Sequence, residues 1–103
     1  MHEPTVTLGF VAKLTAKQGM EQDVRHLLTS ALALANAEVG TIVWFALQTD
    51  RSTFWIVDVF PDEDARQAHI TGPIAAALTA NADRLLAAPP EILPADVLAA
   101  KVP

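Results

Sequence analysis

Residues 41–60 hold two strand-like runs, Thr41-Ile-Val-Trp-Phe-Ala-Leu-Gln48 and Thr53-Phe-Trp-Ile-Val-Asp-Val-Phe60, joined by Thr49-Asp-Arg-Ser52. Four polar residues between apolar runs predict a hairpin. Side chains alternate across a strand, so Phe54, Ile56, Asp58 and Phe60 share one face and Trp55, Val57 and Val59 the other. The partner strand divides into Ile42, Trp44 and Ala46 against Val43, Phe45 and Leu47. Both faces are therefore apolar. An antiparallel sheet covered on one side normally turns a polar face to water.

Outward from the hairpin, residues 5–14 alternate as a first strand, with Val6, Leu8, Phe10, Ala12 and Leu14 on one face. Lys17-Gln18-Gly19 is a turn. From Met20 to about Ala37 the spacing becomes helical, with Val24, Leu27, Leu28, Ala31, Leu34 and Ala35 along one side. Val39-Gly40 is expected to close that helix, with Gly40 at a positive φ. Pro61-Asp62-Glu63-Asp64 opens a second helix with three carboxylates where the helix dipole favours them. Gly72-Pro73 interrupts it, Ile74 to about Ala87 continues, and Ala88-Pro89-Pro90 stops it. A last strand falls within Glu91–Val102, which Pro94 restricts to a sheet edge or to a start further along. The order is β-α-β-β-α-β, an α+β class in which right-handed crossovers put both helices on one face of an antiparallel sheet.

The 103 residues predict one domain, 1–103, with its core over about 5–100. Half the residues are hydrophobic (51%) and only 18% are charged, against about 25% in ordinary domains. A membrane does not absorb the surplus, because the longest apolar run, Ile42–Leu47, is far below the roughly 18 residues of a spanning helix. Met1-His2-Glu3-Pro4 opens no secretory signal, and the lack of cysteine suits a reducing compartment, so a cytoplasmic location is expected. Net charge −5 with no basic cluster argues against nucleic acid. A second copy packed face to face on the open sheet, a homodimer, is the expected solution. The competing cover, the C-terminal tail, offers only about twelve residues.

Ala12-Lys13-Leu14, Lys17-Gln18-Gly19-Met20-Glu21 entering a helix, and Glu38-Val39-Gly40 before a strand resemble the antibiotic biosynthesis monooxygenase family. Val57-Asp58-Val59-Phe60, Asp62-Glu63-Asp64-Ala65, Ala68-His69-Ile70 and Ala88-Pro89-Pro90-Glu91-Ile92 extend the likeness over about Val6–Val97. The resemblance implies a ferredoxin-like protomer pairing into a dimeric α/β barrel, with a ligand cavity between sheet and helices. It implies cofactor-free oxygenation of an aromatic, quinol or polyketide-like substrate, with no cofactor and no metal. The haem-degrading branch is similar in fold but relies on an Asn that aligns with Ala12 and a Trp that aligns with Phe60. Both are absent here. The alternatives are a non-catalytic dimeric barrel binding a small apolar ligand, and an isomerase or cyclase on the same scaffold.

Cofactor-free oxygenation needs a base, a group that stabilises an oxyanion and a dry apolar slot. His69 is the candidate base, since imidazole titrates near neutrality, or else a partly buried helix residue bonded to backbone. Arg66, three residues earlier on the same helix, is an orienter for an anionic oxygen, or else a solvated partner of Asp62 or Glu63. Asp58, the one charge in an apolar strand, is either a functional acid or base or a paired structural anchor. Trp44, Phe54 and Phe60 are candidate walls of an aromatic slot, or simply core, and Trp55 falls to the dimer side. His2, His26 and His69 have no metal-ligand spacing, and no glycine-rich nucleotide loop or Gly-x-Ser-x-Gly elbow occurs.

Overall fold

The computed structural model describes residues 6–102; Thr5, His2 and the rest of residues 1–4 lie outside them. The elements are β1 (Leu8–Thr15), α1 (Glu21–Ala37), β2 (Val43–Gln48), β3 (Thr53–Phe60), α2 (Glu63–Ile70), α3 (Pro73–Leu85) and β4 (Glu91–Asp96). The strands form one antiparallel sheet in the order β2-β3-β1-β4. Two crossovers, one through α1 and one through α2 and α3, produce that order, which is the ferredoxin-like arrangement.

The hairpin register carries the functional geometry. Asp58 faces Phe10 of β1 on one side and Trp44 of β2 on the other. The three therefore stand abreast on the face that the helices cover. The alternation of β3 is strict: Phe54, Ile56, Asp58 and Phe60 are buried, and Trp55, Val57 and Val59 are half-buried. Val24, Leu28, Ala31 and Ala35 of α1 and Ile74, Leu78 and Leu85 of α3 close over them. Burying each large side chain there is worth about 1.5–3 kcal/mol. Leu34, expected inside, is 37% exposed.

Local chemistry sets the helix ends. Asp62, extended at φ −156°, accepts a hydrogen bond from the Ala65 amide at 2.9 Å and caps α2. Pro73 supplies the first residue of α3, where a missing amide hydrogen costs nothing. The expectation for Gly40 is corrected: among the described residues the positive φ belongs to Gly19, at +88°. Gly40 is needed for proximity instead. A Cβ there would lie 2.7 Å from the Cβ of Ala65, so only glycine lets the α1–β2 loop lie against α2.

β4 tolerates Pro94 because it lies at the sheet edge. The strand ends at Asp96, short of the expected stretch, and the tail beyond it leaves the open face uncovered. Phe45 (56%), Leu47 (48%) and Leu93 (60%) remain exposed there. Among the described residues, no helix is long and apolar enough to cross a membrane.

Candidate functional site

Asp58 is 2% exposed, a carboxylate inside an apolar core. Its partner arrives from α2, whose last turn carries His69, 7% exposed. The free carbonyls at that helix end favour a cationic side chain. Nε2 of His69 lies 2.9 Å from Oδ2 of Asp58, and Nδ1 lies 2.6 Å from Oε1 of Glu38. Thr41 Oγ1 donates to the same Glu38 oxygen at 2.6 Å. The Phe60 ring packs beside the imidazole, centroids 5.1 Å apart. Three elements thus converge on one ring: β3, the C-terminus of α2 and the loop after α1.

The electrostatics decide the state of that ring. Burial is the largest single influence on His69 and lowers its pKa; hydrogen bonds and charge from Asp58 and Glu38 outweigh it. The net shift is upward from 6.5, which favours the imidazolium form, with a carboxylate oxygen facing each ring nitrogen. Oδ1 of Asp58, Oε2 of Glu38 and Nε1 of Trp44 are buried without a hydrogen-bond partner.

A cavity of about 30 Å³ lies between sheet and helices, walled by Asp58, His69 and the side chains of Phe10, Ile56 and Ile74 among others. Ile70, Ala75, Leu78 and Ile92 also line it, and the same four border a groove of about 730 Å³ along α3 and the 86–92 segment. The groove is mostly aliphatic, and Lys17, whose ammonium donates to the Asp83 carbonyl, lies along it. The groove and the small inner cavity are neighbours that share four apolar side chains, and of the two it is the inner cavity that Asp58 lines. The inner cavity holds about one or two waters' worth of space.

The structure brings Asp58 and His69 together and sends Arg66 elsewhere. Its guanidinium pairs with Glu63 at 2.6 Å, reaches the Gly9 carbonyl at 3.5 Å and lies 5.3 Å from the Phe10 ring centroid. Phe54 and Phe60 are fully packed core residues, and neither they nor Trp44 line the cavity. Phe10 is the aromatic that does. Sequence reasoning missed Glu38 as a site residue. Its signal was an acid directly after a helix C-terminus, where the dipole disfavours negative charge, so that something else must hold it there.

No family model matches the chain, and no curated protein matches it. Among solved structures, the NE2512 protein of unknown function from Nitrosomonas europaea is 52% identical over 96% of both chains, with a TM-score of 0.94. The chain belongs to one family with that protein. Its fold is that of the antibiotic biosynthesis monooxygenases. A second Nitrosomonas europaea protein, named as a candidate antibiotic biosynthesis monooxygenase, superposes with a TM-score of 0.80 at 13% identity, over 89% of this chain and 99% of its own. PA3566 from Pseudomonas aeruginosa superposes at 0.81 with 21% identity, over 95% and 100%. At such identities the likeness is one of fold.

Proposed function

We propose that the chain is a cofactor-free oxygenase of an aromatic, quinol-like or polyketide-like substrate, which it binds in the groove along α3. The observation that carries the reading is Oδ1 of Asp58, a buried acceptor with no partner, on a residue that lines the small apolar cavity next to the groove. A substrate bearing an acidic O–H or activated C–H satisfies it. The base in this reading is Asp58 rather than His69, because both ring nitrogens of His69 already face carboxylates. Its charge stabilises the anion that forms when Asp58 takes the proton.

The chemistry balances without a redox partner. Asp58 removes a proton from an activated ring CH₂, and the resulting anion gives one electron to dioxygen. Recombination forms a C–O bond as a peroxide. Loss of the second hydrogen and cleavage of the O–O bond then release water, so that CH₂ and O₂ become C=O and H₂O. The apolar walls keep competing water from the anion.

Oxygen uptake with a panel of hydroquinones and anthrones tests this. Uptake by the wild-type protein that is lost in Asp58→Asn is the expected result. Uptake that survives the substitution, or no uptake with any member, overturns the reading. The open sheet face fits a second copy of the chain, and the proposed working form is a homodimer.

A further inference from the structure

Glu38 is costlier than a loop anchor needs to be. Its side chain is 18% exposed and follows a helix C-terminus, where its charge is disfavoured. Burying a carboxylate without compensation is expensive. Yet the fold brings it in closely, with Gly40 two residues later clearing room for the loop against Ala65. Oε1 then accepts from both Thr41 and the imidazole. Among the described residues no lysine or arginine pairs with Glu38 or Asp58, and Arg66, on the same helix as His69, is committed to Glu63. Two carboxylates from two separate elements thus share a single cation.

We infer that Glu38 is a positioning residue: by holding Nδ1 of His69 it commits Nε2 to Oδ2 of Asp58 and leaves Oδ1 as the oxygen that meets substrate. With Glu38 neutral, no negative charge at Nδ1 favours a second proton on the ring. The ring then relaxes toward neutral imidazole, and Asp58 loses the full charge that steadies it. The kinetic part of this assignment rests on the proposed oxygenation; the state of the imidazole belongs to the resting protein.

The test is nitrogen NMR of the His69 ring in the wild-type protein and in Glu38→Gln, with amide spectra confirming an intact fold. In the wild type both ring nitrogens are protonated at neutral pH. In Glu38→Gln the His69 titration midpoint falls by about one unit or more. With a substrate that consumes oxygen, kcat falls about tenfold while KM holds, because Glu38 touches no substrate. An unprotonated ring nitrogen in the neutral wild type overturns the assignment, as does an unmoved midpoint in Glu38→Gln. The wild-type spectrum requires no variant to fold. Absence of oxygen uptake with every panel member defeats the oxygenase reading alone and leaves these spectra decisive for Glu38.

Discussion

Asp58 and His69 meet at 2.9 Å across the boundary between β3 and α2, and the contact leaves Oδ1 of the carboxylate without a partner. One oxygen of the carboxylate is thereby paired and the other is not; in the proposed reaction the unpaired one takes the proton. Asp58→Asn preserves the volume and one acceptor but removes the base, so kcat is expected to fall about 10²–10⁴-fold. Asp58→Ala also breaks a buried pair and should cost about 3 kcal/mol, near the lower end for such pairs because Glu38 still holds the imidazole. Denaturant unfolding of the two variants separates the roles: a large activity loss with a modest stability loss in Asp58→Asn is the expected signature.

The raised pKa of His69 makes stability depend on pH in a definite direction. A group whose folded pKa lies above its unfolded value binds protons more tightly in the fold. Its contribution is fully present below the unfolded value of about 6.5 and is lost as pH rises through the higher folded midpoint. The wild-type melting temperature should therefore decline from about pH 6 toward pH 9, and His69→Gln should flatten that decline. A melting temperature that rises over the same interval in the wild type alone contradicts the assignment.

The hairpin reading carried the architecture because strand alternation is a local property: Phe54, Ile56, Asp58 and Phe60 face inward as their spacing requires. The site was legible only in part. Asp58 stood out as a charge in an apolar run, and His69 as the imidazole on the following helix. Their contact with Glu38 depends on a loop after α1 reaching α2 across 31 residues of chain, which no periodicity encodes. For Arg66 the second of the two readings holds, the pairing with Glu63. Helical spacing places it three residues from His69, but Glu63 and the Phe10 ring compete for its guanidinium. Gly40 was read as a helix stop when its constraint is the approach of a second helix.

That approach yields its own prediction. In Gly40→Ala the new methyl would sit 2.7 Å from the Ala65 Cβ, so loop or helix must shift, at about 1–3 kcal/mol. Ala65→Gly removes the opposing methyl, at about 1 kcal/mol for glycine within a helix. In the double variant the cost of the new methyl should fall by more than half, a coupling that a double-mutant cycle measures directly. Additive losses would mean that the two methyl groups do not collide.

The groove gives a prediction about access. Ala75 lines both the groove and the inner cavity, so a ring placed there fills the boundary that a substrate would cross to reach Asp58. Ala75→Phe should raise KM for a bulky substrate about tenfold or more, while the His69 titration midpoint stays where it is in the wild type. Unchanged KM with an intact fold would place the route to Asp58 elsewhere.

The open face of the sheet remains. Val57 lies in β3 with Phe45 and Val11 as its register partners, at the middle of an apolar surface that the chain leaves uncovered. A carboxylate there costs little in a monomer, where water reaches it, and several kcal/mol in a face-to-face dimer, where two copies would bury it. Val57→Asp should sediment as a monomer at micromolar concentration where the wild type sediments as a dimer. The Asp58–His69–Glu38 array lies on the opposite face, so the His69 ring should titrate alike in both. A wild-type monomer under those conditions rules the dimer out.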